Sequence, residues 1–207
     1  MNTQMKSGMT VLLFGDASLP RALGRLPALR VGGAADIDAA ARDAHRLVVA
    51  GSNADLAAVL SRLMRTESLD VEVAHVPPGP RSWLAAQRAL SGTARRVPLI
   101  RDDTGTALVG VAVWLPPQDG ATIRGEALVD DTVLFDGDVA GVRIEPTSGL
   151  PGLRAAVLSG PRRRWVAGRA AQLGTTGARV VRDGVPGARE VKRSTLYRHT
   201  TGWLRVG

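Results

Sequence analysis

The stretch Leu47-Val48-Val49-Ala50-Gly51-Ser52-Asn53-Ala54-Asp55-Leu56 decides the fold. Four apolar residues run into a small polar turn, and an amphipathic helix begins at once. Leu56, Val59, Leu60, Leu63 and Met64 recur at the i, i+3, i+4, i+7, i+8 spacing of one helical face. Ser52 or Asn53 is placed to cap that helix. A strand that turns directly into a helix is the unit in which α/β proteins hold phosphates. The helix N-terminus there presents unpaired N–H groups and a partial positive charge.

Outward from this turn, the first half of the chain alternates strand and helix signals. Thr10 to Phe14 is an apolar run ended by Gly15-Asp16, Pro20 to Leu26 suits a helical turn, and Ala28 to Val31 is a second strand. Asp36 to His45 is Ala-rich and helix-prone, with Asp36 as expected N-cap. Asp70 to Val76 alternates as a strand, Pro77-Pro78-Gly79-Pro80 breaks it, and Ser82 to Leu90 returns to helix. Such alternation predicts a parallel sheet.

Near Gly92 the period changes. Strands are expected over Arg95 to Ile100, Ala107 to Leu115, Thr122 to Val129, Thr132 to Phe135, Val139 to Glu145, Leu153 to Leu158, Arg179 to Arg182 and Leu196 to Val206. Asp136-Gly137 and Asp183-Gly184 read as hairpin turns, and Val166 to Gln172 as the one late helix. The fold class is therefore a parallel α/β domain over residues 1–92 followed by an antiparallel β-sandwich domain over residues 93–207.

Composition bounds the function. With 207 residues and 44% hydrophobic content, the chain has enough apolar material for real cores. No apolar run approaches the roughly 20 residues of a bilayer crossing. Met1 to Met9 carries one Lys with no following signal-type apolar segment, and there is no cysteine, so the sequence reads as cytoplasmic. The net charge of +8 invites a nucleic-acid partner. Against it, the basic residues are dispersed, and all but Lys6 and Lys192 are Arg. Together with abundant Ala, Gly and Val, that is the signature of a GC-rich coding sequence, such as an actinobacterial one.

The order of elements and four local motifs resemble the diacylglycerol kinase and sphingosine kinase family of the NAD-kinase superfamily. Gly51-Ser52-Asn53-Ala54-Asp55 stands where that family carries Gly-Gly-Asp-Gly-Thr. Val71 to Pro80 resembles its second glycine-bearing strand and turn, and Trp83 to Leu90 its following helix. Ser91 to Ile100 resembles the crossing into its β-domain, and Val181-Arg182-Asp183-Gly184 its late Val-Asp-Gly-Glu turn. The resemblance covers most of the chain, which is shorter than the family's kinases, mainly in the β-domain. It implies ATP and Mg²⁺ as cofactors, phosphoryl transfer as activity, and a nucleotide-binding set at Gly51, Ser52, Asn53, Asp55, Gly79 and Arg81.

The departures fall on that chemistry. Ser52 and Ala54 replace glycines whose missing Cβ lets backbone approach phosphate. Asn53 replaces an Asp and brings no negative charge to Mg²⁺. Asp55 puts a carboxylate in the field a phosphate would use. Pro78, Pro80 and Arg81 stand where the family carries Thr and Asn-Asp, and Val185 where it carries Glu. Phosphoryl transfer depends on positioning and on charge from metal and donors. The expectation is thus a non-catalytic binding or accessory module without a cofactor, holding an anionic, phosphate-bearing small molecule or a protein partner. The alternatives are an active lipid or nucleotide kinase with a rewired metal site, and a basic nucleic-acid-associated protein.

Other chemistry-bearing residues are sparse. His45, His75 and His199 form no zinc-type helical spacing, and His75 on an apolar strand reads as a hydrogen-bonded core residue. Asp102-Asp103, Asp130-Asp131 and Asp136/Asp138 read as turn carboxylates, and Ser18, Ser159 and Ser194 lie in no nucleophile pattern. Arg162-Arg163-Arg164-Trp165 is the densest basic cluster. With Arg193 and Arg198 it forms the expected anion-binding set. Arg193, Tyr197 and His199 are expected on one face of a final hairpin.

Overall fold

The computed structural model describes residues 8–159 and 163–207. The chain divides into two units, one running to Val97 and resuming at Gly202–Gly207, the other comprising Pro98–Thr201. In the first unit the elements are β1 (Met9–Leu13), β2 (Ala28–Arg30), α1 (Ala34–Asp43), β3 (Arg46–Ala50), α2 (Asn53–Arg65), β4 (Glu72–Val76), α3 (Ser82–Ser91), β5 (Ala94–Val97) and the last strand of the chain, β17 (Trp203–Val206). They form one sheet in the order β2-β1-β3-β4-β17-β5. All neighbours are parallel except β5, which runs antiparallel to β17. Central β3 is buried at every position, as a strand covered on both faces must be.

Two ion pairs and caps hold the helices. Asp36 is not the N-cap of α1; Gly33 is, and the Asp36 carboxylate accepts the N–H groups of Gly32 and Gly33 at 2.7 and 3.1 Å. Arg62 of α2 grips Asp38 of α1 with both arms of its guanidinium, at 2.6 and 2.5 Å, which holds the Asp38 carboxyl below the usual carboxylate range. Arg46 is the unusual buried charge. Its Nε donates to Glu72 at 2.6 Å, and its two terminal nitrogens donate to the carbonyls of Ala89, Leu90 and Gly92 at the end of α3.

The second unit is built from β6 (Ile100–Asp102), β7 (Ala107–Leu108), β8 (Ala112–Leu115), β9 (Ile123–Val129), β10 (Thr132–Val139), β11 (Val142–Pro146), β12 (Leu153–Val157), β13 (Val166–Gly168), β14 (Ala170–Arg182), β15 (Val185–Pro186) and β16 (Val191–Arg198). All pairings among them are antiparallel. The long β14 joins the two layers: its first half lies between β9 and β16, its second half beside β8 and β15. Alternate residues of both layers meet in a core centred on the fully buried Trp114, with Ile123, Ile144, Leu153, Leu173 and Leu196.

Further sequence expectations change, among them the expected strand Arg95 to Ile100, which is divided between β5 and β6 in different sheets. Val166 to Gln172 is not a helix but β13 and the start of β14, with buried positions alternating at Ala171 and Leu173. Asp136-Gly137 makes no turn, because both residues lie inside β10; the reversal before it is at Asp130, with φ +50°. The expected single strand from Leu196 to Val206 is two strands in different sheets, so there is no final hairpin. Gly202 explains the break. A Cβ there would sit 2.3 Å from the Val97 carbonyl oxygen, so only glycine lets the chain turn into β17 against β5. Residues 94–97 and 203–206 complete the first sheet.

Candidate ligand cleft at the strand switch point

In the first sheet β1 is followed by β2 on one side, while β3 lies on its other side. Strand order reverses between β1 and β3, and the carboxyl ends of the strands flank a crevice where α/β sheets bind ligands. A cavity of about 380 Å³ occupies this place. It is lined by Asp16, Ala17, Ser18 and Pro20 after β1, by Ala50 and Gly51 after β3, and by Val76 to Gly79 and Ser82 between β4 and α3.

The turn at Gly51 is held from three sides. The Gly51 N–H donates to the Val76 carbonyl at 3.2 Å, and its carbonyl accepts from His75 Nε2 at 2.9 Å. A carbonyl only accepts, so His75 carries its proton on Nε2. Burial pulls the His75 pKa below the ordinary imidazole value, against the opposing backbone bonds from Gly51 and Ser52. On the third side stands Asp55. Its Oδ2 accepts the Ser52 N–H and the Ser52 hydroxyl, both at 2.7 Å, while Ser52 Oγ accepts the Asp55 N–H at 3.3 Å. This reciprocal cap turns a carboxylate over the first turn of α2. A Cβ on Gly51 would lie 2.6 Å from that Oδ2. The glycine is here a seat for the Asp55 carboxylate.

A lowered histidine pKa has a definite pH consequence. The unfolded chain binds a proton at the imidazole more readily than the folded one, so stability is full above about pH 6.5 and declines as pH falls below it. His199 is shifted the same way, by burial and then by Arg101, and adds to the slope. Thermal melts between about pH 7.5 and 5 are expected to show a falling Tm. His75→Gln, which can still donate to Gly51, should reduce that slope. An unchanged slope in the variant assigns the acid sensitivity elsewhere.

Of the expected nucleotide-binding set, Gly51 and Gly79 line the cleft, and Ser52, Asn53 and Asp55 form the first turn of α2 and its cap. Arg81 is exposed at the N-cap of α3. The sequence reading missed Asp16, Ser18 and Ser82, the polar side chains of the lining. The sequence showed only that Asp16 and Ser18 follow an apolar strand run; the strand order places them at the crevice.

The expected anion-binding arginines all belong to the second unit. Arg162 lies outside the described residues. Arg163 and Arg164 are exposed. Arg193 and Arg198 lie on opposite faces of β16, whose buried residues Ser194 and Leu196 share the even-numbered face with Arg198. Arg198 donates to the Pro151 carbonyl at 2.9 Å. The structure therefore places Arg193 and Arg198 on different faces of β16. Arg193 and Tyr197 share the opposite face of β16, His199 lies just past the strand's end, and Arg101 stacks on the Tyr197 ring at 4.7 Å.

The carboxylates read as turn formers act as staples. Asp183 accepts the N–H groups of Val109, Gly110 and Val111 at 2.7 to 2.9 Å, and Asp130 those of Arg169 and Ala170. Asp102 Oδ1 accepts from Thr104 and Thr106, and its Oδ2 faces Arg182 at 2.7 Å. Ser194 is a core hydroxyl that accepts the Trp114 indole N–H at 3.0 Å.

No protein-family model and no curated protein matches the sequence. Solved structures do. A diacylglycerol kinase from Bacillus anthracis str. Sterne superposes with a TM-score of 0.74 at 11% identity, over 99% of this chain and 98% of that one. An NAD kinase from Archaeoglobus fulgidus in complex with ATP gives 0.64 at 13% identity, over 96% and 93%. Yeast NADH kinase complexed with NADH gives 0.59 at 9% identity, over 99% and 84%. The matches run through both units, and the chain has the fold shared by diacylglycerol kinases and NAD kinases.

Proposed function

We propose that this chain is a non-catalytic binding or accessory module on a kinase-type fold, acting in the cytoplasm, whose switch-point cleft takes a small ligand. The observation that carries this reading is the Asp55 cap. A helix N-terminus beside such a cleft is the natural seat for phosphate. Here its field is met by a carboxylate of the same chain, fixed by two 2.7 Å hydrogen bonds and seated on Gly51. A triphosphate entering there would face like charge in the position of greatest dipole benefit. Asn53, next in the chain, supplies no charge to a divalent metal.

With ATP and Mg²⁺, no label transfer to diacylglycerol, a long-chain base or NAD is expected. Steady transfer that Asn53→Ala abolishes overturns the reading in favour of an active kinase. The cap itself is tested by calorimetry with ATP. Asp55→Asn keeps the shape but removes the charge, and should tighten binding by roughly twofold to fivefold, the value of one charge at a helix terminus. Unchanged affinity places any nucleotide site away from α2.

A further inference from the structure

Arg101 carries a positive charge that the described residues do not balance. It lies on β6 directly opposite Tyr197 of β16, and its guanidinium stacks on the Tyr197 ring at 4.7 Å. The residue is half-buried, and its Nε is sealed from water without a hydrogen-bond partner. Among the described residues no carboxylate pairs with it. Asp102, next in the chain, takes the opposite face of β6 and pairs with Arg182 at 2.7 Å. The residues flanking the stack are uncharged: Ala107 of β7 beside Arg101, and Ala170 of β14 beside Tyr197. His199 stays next to β6 after β16 has ended, because its N–H donates to the Leu99 carbonyl at 2.8 Å. Burial, and then the Arg101 charge, hold its imidazole below the ordinary pKa, so the two side chains lie within electrostatic reach.

Taking part of a guanidinium out of water is costly unless an acceptor replaces the water. Elsewhere the chain supplies that acceptor itself: Arg46, Arg62, Arg154 and Arg182 each meet a carboxylate. At Arg101 it supplies an aromatic ring, which fixes the guanidinium plane and leaves the charge uncompensated. We infer that Arg101, Tyr197 and His199 form a binding site for a small oxyanion of the phosphate class. The site is built wholly from the second unit, and none of its residues lines the switch-point cleft. Because Nε is sealed, the anion meets the guanidinium at its terminal nitrogens. The Tyr197 hydroxyl and an imidazole N–H add donors. A phosphate has oxygens for all three groups, whereas a carboxylate has only two, which an Arg fork already fills. Arg193 shares the face of Tyr197 but stands four residues earlier, about 13 Å away at the rise of a strand, too far to touch the same small anion.

The test is an NMR titration of the full chain with inorganic phosphate, methyl phosphate or acetate, at ionic strength held constant with chloride. Inorganic phosphate should move the Arg101 Nε–H and His199 ring signals along one saturable curve, with a dissociation constant of about 1 mM or lower. Saturation by methyl phosphate as well extends the ligand to phosphorylated small molecules, and its absence restricts it to free phosphate. Acetate should bind at least about threefold more weakly. Arg101→Gln, read at His199, should lose about tenfold or more in affinity, and Arg193→Gln less than twofold. The native titration reads Arg101 directly, so the outcome does not depend on how a variant folds. An Arg101 signal that fails to saturate overturns the assignment, as do phosphate shifts confined to the amides of residues 51–55. Equal losses for Arg193→Gln and Arg101→Gln mean diffuse charge attraction and overturn it too. Acetate binding as tightly as phosphate overturns the ligand class.

Discussion

Replacing Trp114 by alanine is expected to lower the stability of the β-sandwich unit by about 3–5 kcal/mol, the range for removing a large aromatic side chain from a packed core. Trp114 is completely buried on β8, where it is register-paired with Val142 on one side and Val180 on the other. Two terms add in the variant. The packed ring is lost with only partial collapse of the space it leaves. The Ser194 hydroxyl, 7% exposed, loses the indole N–H that it accepts. Natural domains have only about 5–15 kcal/mol in total, so the loss removes a large share. Trp114→Phe retains most of the volume and drops only the hydrogen bond, so it should cost clearly less. Urea denaturation followed by circular dichroism, which does not depend on the removed fluorophore, measures both. Equal costs for the two variants mean the hydrogen bond dominates and the packing account fails.

A comparable loss, about 3–5 kcal/mol, is expected for Arg46→Met in the first unit, where one partner of a buried pair is removed. Arg46 is 7% exposed at the start of β3 and serves Glu72 together with three carbonyls at the end of α3. Helix ends leave their last carbonyls without intrahelical donors. This one guanidinium supplies several of them. The variant strands the Glu72 carboxylate and frees the α3 terminus. Changing Glu72 to Leu in the Arg46→Met background should restore part of the loss, because an apolar pair replaces a broken ionic one. Hydrogen exchange adds a local reading: amides near Ala89 to Gly92 should lose protection beyond the global change. If the double variant is no more stable than Arg46→Met, the unpaired carboxylate is not the source of the cost.

The two devices differ in how far the sequence disclosed them. The βα turn at Gly51, the amphipathic α2 and the change of period near Gly92 were readable because each depends on local pattern alone. Arg46 was not. A lone Arg before an apolar run says nothing of the α3 carbonyls, which lie more than 40 positions along the chain. The same limit hid the cleft's polar lining, since Asp16 and Ser18 gain meaning only once the strand order is known. It also hid the split of Leu196 to Val206, where an apolar, strand-prone run passes from one sheet to another through Gly202. The late helix failed for a different reason: alanines and a glycine over residues 167–171 carry little periodic signal, and pairing with β9, β12 and β16 decides their conformation. The Asp55 cap was legible as a carboxylate at a helix start, but its seat on Gly51 was not.

Residues 94–97 and 203–206 form neighbouring antiparallel strands, with Val97 directly opposite Trp203. In topology this is a hairpin whose loop is an entire domain, residues 98–201. Closing a coil on the order of a hundred residues is entropically costly and slow, whereas a folded insert replaces most of that coil. The expected folding order follows: the β-sandwich collapses first, and β5 and β17 then meet to fill the far side of β4. Until that moment β4 presents an open, apolar sheet edge, the kind that pairs with other chains. On that order, the species expected to be most prone to pair with other chains is a half-built one: a finished sandwich carried on an unfinished sheet.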